Sequence, residues 1–181
     1  MDMYKLKFTR LQNEIFRLCC INVGNPLNQR GIAKLLKVSP TAVSKAIVLL
    51  EKEKLINTRR DNLMNLCFTE LNRDNSMAIH FKRVENLKMV YQSGLIDSLE
   101  DKFPGSTIIL FGSFSKGEDT IKSDIDLAII GSKSKNVNLD KYNELLEREV
   151  RVNSYVDWKE INKNLRDNIL NGIVLIGGIE L

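Results

Sequence analysis

The sequence is short of the residues from which metal centres and disulfide scaffolds are built. It holds one histidine and three cysteines in 181 residues. Cys19, Cys20 and Cys67 are an odd set, two of them adjacent in a helical pattern, and none stands at ligand spacing from another or from His80. That argues against a disulfide framework and a Cys/His zinc site. The expectation is reduced, partly buried thiols in a cytoplasmic protein, with His80 on a helix surface. No apolar run reaches the ~18 residues of a membrane span, so no membrane partner is expected. The opening Met-Asp-Met-Tyr-Lys-Leu-Lys lacks the apolar stretch of a signal peptide. No Walker-type phosphate loop is present either. What remains is an ordinary globular composition, 43% hydrophobic and 28% charged, in a length that allows one large or two small domains.

Charge divides the chain. Residues 1–90 carry 16 Lys and Arg against 8 Asp and Glu, a net of +8, whereas residues 91–181 carry 11 against 15, a net of −4. A basic half joined to an acidic half suggests two domains with different partners, and the basic one suits nucleic acid.

In the basic half, Phe8, Leu11, Ile15, Leu18 and Cys19 fall on one face of a helix over 8–21. Gly24-Asn25-Pro26 ends it. A short helix over 28–36 follows, with Ile32, Leu35 and Leu36 turned inward. Ser39 is a good N-cap and Pro40 suits the first helical position. The third helix, over 40–54, has Val43, Ala46, Ile47 and Leu50 as its core face. Thr41, Ser44, Lys45, Val48 and Lys52 lie opposite. Leu55–Thr58 and Met64–Phe68 read as strands around a basic turn, Arg59-Arg60-Asp61-Asn62. The segment resembles a winged helix-turn-helix. That resemblance implies double-stranded DNA as partner, with Thr41, Ser44 and Lys45 approaching base edges and Arg59 and Arg60 reaching phosphates from the wing. Winged helices also serve as protein–protein modules.

From Asp74 to Phe103 the pattern is again helical. Met77, Phe81, Val84, Leu87, Val90, Tyr91, Leu95, Ile96 and Leu99 recur at three- and four-residue steps, with a break at Ser93-Gly94. This reads as a linker, and its stripe suits domain packing or the seam of a homodimer. The expected division is 1–72, a linker over 73–103, and 104–181.

The acidic half is organised around two stretches. Ile108-Ile109-Leu110-Phe111 is an apolar strand ending in Gly112-Ser113, and Ser123 leads into Asp124-Ile125-Asp126-Leu127-Ala128-Ile129-Ile130. On a strand, Asp124 and Asp126 share a face while Ile125 and Leu127 point away. Side-by-side carboxylates repel unless a cation lies between them, and hard divalent ions prefer such oxygen ligands. Backbone N–H groups at a glycine turn and helix N-terminus attract phosphate. Together these stretches resemble the signature of the DNA polymerase β-type nucleotidyltransferase superfamily, in the short form of its minimal members. The resemblance covers roughly residues 105–177. It implies that Gly112 and Ser113 seat an NTP, that Asp124 and Asp126 bind Mg²⁺ or Mn²⁺ and carry the chemistry, and that Lys116 pairs with a phosphate. Helices over 139–148 and after Asp157, with strands over 150–156 and 173–176, complete a small mixed sheet covered by helices. The fold class is α/β (α+β), in two domains.

One departure stands out. The superfamily places a third carboxylate on the strand after the Asp-x-Asp strand, and here that position falls on Arg151 or Asn153. Glu149 and Asp157 are the nearby carboxylates. Two readings stay open. One is a metal-dependent nucleotidyltransferase with a DNA-binding winged helix. The other is a transcriptional regulator whose second domain binds nucleotide or a partner without catalysis. A third, similar to minimal nucleotidyltransferases of toxin–antitoxin pairs, makes a partner protein or RNA the acceptor.

Overall fold

The computed structural model describes residues 7–61, 63 and 66–179. Asn62, Met64 and Asn65, which belong to the expected turn and second strand, lie outside the described residues, as do residues 1–6 and 180–181. The chain divides into two compact units, residues 1–82 and 83–181.

In the first unit α1 (Arg10–Ile21) is opened by a capping box. Thr9 accepts from Gln12 N–H, and the Gln12 side chain accepts from Thr9 N–H. That ties down two N–H groups with no helical partner. After β1 (Leu27–Asn28), Asn28 caps α2 (Gln29–Leu36) by accepting from Gly31 N–H. Ser39 caps α3 (Pro40–Lys52), with Pro40 at its first position, as expected. Strands β2 (Ile56–Asp61) and β3 (Leu66–Leu71) pair antiparallel, and β1 adds to β3, giving the order β1-β3-β2. Three helices on a small antiparallel sheet make a winged helix. Its core joins Ile15, Phe16, Cys19, Cys20, Ile32, Val43, Ile47 and Leu50. The four expected core residues of α3 are all buried. Phe16 meets Phe81 edge to face at 6.3 Å.

Several expectations are corrected. Leu35 is 60% exposed rather than inward, and on α1 Phe16 and Cys20 are buried in addition to Ile15 and Cys19, with Phe8, Leu11 and Leu18 partly buried against the same core. A helix as short as α2 turns a narrow stripe to the core, and Ile32 with Ala33 fills it. Arg59 and Arg60 lie within β2, not in a turn.

The long helix α4 (Ser76–Gln92) and α5 (Leu95–Lys102) are separated at Ser93-Gly94, where Gly94 has φ +71°. The division between the units falls inside α4, between Lys82 and Arg83. Of the expected stripe Val90 is buried, together with Ala78 and Asn86, while Met77, Val84 and Tyr91 are exposed. Counting apolar residues alone missed the buried polar Asn86 and so rotated the stripe.

The second unit is a four-stranded sheet, β4 (Thr107–Phe111), β5 (Ile125–Ile130), β6 (Val150–Tyr155) and β7 (Ile173–Ile176), in the order β6-β5-β4-β7. β4 runs antiparallel to β5 and β7, and β5 runs parallel to β6. Both faces of the central pair are interior, which explains their near-continuous apolar sequence. Ile109, Phe111, Ala128 and Ile130 pack with Ile161 and Ile169, the latter on α8 (Lys163–Leu170), and α5 packs along β7. Between β4 and β5 lies α6 (Gly112–Lys116), and α7 (Asp140–Leu146) precedes β6. On α7 Tyr142 and Leu146 are buried and Leu145 is 57% exposed. Asp157 does not cap the last helix. It accepts from Lys159 N–H and caps a single 3-10 turn, Trp158–Glu160, while Asn162 caps α8.

Candidate active site

The site is built where two buried strands end side by side. Phe111, the last residue of β4, pairs with Asp126 of β5. Gly112 follows at once with φ +75°, and a Cβ there would lie 2.8 Å from Asp126 Oδ2. The position therefore favours glycine for its left-handed backbone, and any side chain there would push the Asp126 carboxylate aside. Ser115, buried behind the turn, donates its hydroxyl to Gly112 O at 2.8 Å and holds the turn in place. Ser113 is partly exposed beside it and Lys116 is exposed at the end of α6. α6 is only five residues long, so the turn is defined by bare backbone rather than by a helix dipole.

Asp124 and Asp126 are partly exposed while Ile125 and Leu127 are fully buried, so the two carboxylates share the open face. Ser123 Oγ accepts from Thr120 N–H at 3.0 Å and shapes the entry into β5. Burial raises the Asp126 carboxyl above its ordinary pKa, the Asp124 charge adds to this, and Arg151 pulls the other way. The structure thus brings together Gly112, Ser113, Asp124 and Asp126.

Parallel register settles the open question of the third position. Asp126 pairs with Arg151, and Asn153 pairs with Ala128 further along. Arg151 Nη1 lies 2.7 Å from Asp124 Oδ2. The other side of its guanidinium reaches Glu149, from Nε at 3.3 Å and Nη2 at 3.2 Å. Glu149 thus borders the site through Arg151. Asp157 lies beyond Tyr155, which pairs with Ile130 at the opposite end of the sheet, and has no place in it.

Among the described residues no cluster of three or more His, Cys, Asp or Glu side chains is placed to hold a metal ion. The two aspartates, an all-oxygen pair on one open face, suit one hard divalent cation. A second cation has no third carboxylate to hold it, and a guanidinium stands there instead.

Sequence reasoning missed the residues behind the site. Asn86 Nδ2 donates to Asp119 Oδ1 at 2.7 Å and to Phe114 O at 2.9 Å, all three being buried. Buried Arg148 also feels the Asp119 charge. This network anchors the loop from α6 to β5. An asparagine in a helical stripe and an aspartate in a loop carry no local signal of such a role.

On the first unit, Thr41, Ser44 and Lys45 are exposed on one face of α3, opposite its core residues. Thr41 and Ser44 share a cavity of about 340 Å³ with Gln29, Arg30 and Cys67. Arg59 and Arg60 are both exposed, but as neighbours on a strand they point to opposite faces. Both lie on the hairpin formed by β2 and β3.

Comparison with known proteins bears on this arrangement. Residues 94–178 match the family described as polymerase beta, nucleotidyltransferase. Over 74 residues the chain is 35% identical to a Methanocaldococcus jannaschii protein named "Putative protein adenylyltransferase", covering 39% of this chain and 74% of that one. The chain belongs to the polymerase beta nucleotidyltransferase family. A second M. jannaschii protein of the same name is 39% identical over 49 residues, covering 27% of this chain and 49% of that protein. The family match falls on the unit that carries Gly112, Asp124 and Asp126. Among solved structures, the adhesin competence repressor AdcR of Streptococcus pyogenes is similar at TM-score 0.43 and 23% identity, over 57% of this chain and 72% of that one. The zinc-responsive MarR family member ZitR of Lactococcus lactis is similar at TM-score 0.41 and 24% identity, over 58% and 69%. Likeness at that level says nothing about ligands. The winged helix rests on this chain's own elements.

Proposed function

We propose that the chain is a nucleotidyltransferase that moves a nucleoside monophosphate from an NTP to a hydroxyl acceptor, and that its winged helix binds double-stranded DNA. The observation that carries the first part is the meeting of the Gly112 turn with the Asp124–Asp126 pair, where a Cβ on Gly112 would collide with Asp126. Bare backbone at Gly112 lets a phosphate approach closely. Ser113 donates its hydroxyl to a phosphate oxygen, and Lys116 pairs with the triphosphate tail. Asp124 and Asp126 hold one divalent cation, Mg²⁺ or Mn²⁺, which when bound neutralises charge on the triphosphate. The bond between the α-phosphorus and the acceptor oxygen forms, the bond to the bridging oxygen breaks, pyrophosphate leaves, and the hydroxyl proton passes to solvent. Such transfer depends on positioning and charge neutralisation more than on covalent help from the protein.

The name of the relatives, protein adenylyltransferase, makes a protein hydroxyl and ATP the first acceptor and donor to try. A +8 half with Thr41, Ser44 and Lys45 exposed on a capped helix supports DNA binding, and pairing of two chains on two half-sites is the usual winged-helix geometry. No helix among the described residues is long and apolar enough to cross a membrane, and a cytoplasmic setting suits both parts. A second reading, a regulator that binds nucleotide without turnover, is favoured by one observation: Arg151 occupies Asp124 at 2.7 Å.

Label transfer decides between them. The protein is incubated with Mg²⁺ or Mn²⁺, each α-labelled NTP, and cellular protein and RNA. Label on a macromolecule, reduced about a thousandfold or more in Asp124→Ala/Asp126→Ala, supports the enzyme. Metal-dependent NTP binding without transfer supports the regulator.

A further inference from the structure

We propose that Arg151 makes divalent-cation loading of this site depend on nucleotide. The proposal rests on the reading that Asp124 and Asp126 are the cation's ligands. Three carboxylates surround one guanidinium. Arg151 lies level with Asp126 on the neighbouring parallel strand, contacts Asp124 Oδ2 through Nη1 at 2.7 Å, and meets Glu149 through Nε and Nη2. A divalent cation that takes Asp124 as ligand competes with that Nη1 for the negative charge of the carboxylate, and does so against the repulsion of a positive charge already in contact with it. Stability does not explain the arrangement, because the Arg151 side chain is 53% exposed and exposed pairs contribute little to folding.

The geometry also supplies the release. Glu149 grips the guanidinium from the side away from Asp124, so Nη1 can leave Asp124 while the side chain stays tethered. A planar guanidinium binds phosphate oxygens at least as well as a carboxylate. A triphosphate at the Gly112 turn offers such oxygens beside it. When Arg151 turns to the phosphate, Asp124 is freed for the cation. Cation and nucleotide then favour each other, and by linkage each raises the other's affinity by the same factor. Arg151 is a positioning residue here, acting on the cation through Asp124.

The test is Mn²⁺ binding to the full chain, read from the electron paramagnetic resonance signal of free Mn²⁺, with and without α,β-methylene-ATP, the Mn²⁺ held by the nucleotide alone being subtracted from a protein-free titration. The proteins are wild type, Arg151→Gln and Asp124→Ala/Asp126→Ala. Without nucleotide, Arg151→Gln is expected to bind Mn²⁺ about tenfold more tightly than wild type, the size of repulsion expected for a monovalent charge near a divalent one in screened solvent. The nucleotide should tighten Mn²⁺ binding about tenfold more in wild type than in Arg151→Gln. Equal Mn²⁺ affinities, within twofold, with binding still lost in the double aspartate variant would overturn the gate and leave the metal site standing. Mn²⁺ affinity unaffected by the double aspartate substitution, or no Mn²⁺ binding by any form with or without nucleotide, would overturn both.

Discussion

The two units use their sheets in opposite ways. In the first, helices make the core and the strands lie largely at the surface, with only Ile56 buried on β2 and Thr69 and Leu71 on β3. In the second, β4 and β5 are the core, buried along nearly their whole length. The candidate sites differ accordingly. The proposed DNA face consists of side chains set on a helix surface, each replaceable without disturbing its neighbours. The proposed nucleotide site is made where interior backbone ends, so its geometry is inherited from packing and a single added carbon matters.

The contrast can be broken most strongly from the core side of α3. Leu50→Ala, at a position with no exposure, should destabilise the first unit by about 3 kcal/mol and abolish DNA binding near its melting range. Nucleotide-dependent melting of the second unit should stay unchanged in calorimetry. A joint shift of both transitions would mean that the units do not fold separately. Next is Gly112→Ala, which adds a Cβ where φ is +75° and Asp126 Oδ2 lies 2.8 Å away. It should cost roughly 2 kcal/mol in denaturant unfolding and lower label transfer about a hundredfold. Lys45→Ala, by contrast, should leave stability alone. It should weaken DNA binding a few-fold and, if Lys45 touches a phosphate, reduce the slope of log affinity against log salt by about one.

The smallest effect concerns Asp126. Its pKa is raised chiefly by burial, then by Asp124. A carboxyl whose folded pKa lies above its unfolded value of about 3.9 contributes stability below that value and loses it as pH rises through the folded pKa. Asp126→Asn should therefore melt about 1–2 °C higher than wild type at pH 7, a small gain because the group is partly screened by solvent. The gain should vanish at pH 3. A gain that persists at pH 3 would point to packing rather than charge.

Much of this was legible in the residues. Apolar runs broken by Gly-Ser and punctuated by Asp-Ile-Asp located β4, the turn and β5 within a residue, because buried strands favour continuous branched side chains and a turn at φ +75° favours glycine. Ser39-Pro40 located α3 for the same kind of local reason. The rotation of α4 was not legible, because Asn86 is buried by a long-range bond to Asp119 that no local pattern announces. Nor was the strand position of Arg59 and Arg60, since β2 runs further than its apolar residues do. The ambiguity between Arg151 and Asn153 needed the register of β5 against β6, and a slip of two residues leaves the face unchanged.

The most direct measurement is a crystal structure with Mn²⁺ and α,β-methylene-ATP, phased for anomalous scattering. The account places one Mn²⁺ peak between the Asp124 and Asp126 carboxylates, the triphosphate over Gly112 and Ser113, and Arg151 turned from Asp124 to a phosphate oxygen. A triphosphate bound elsewhere, or no Mn²⁺ peak at the aspartate pair at saturating metal, would contradict it.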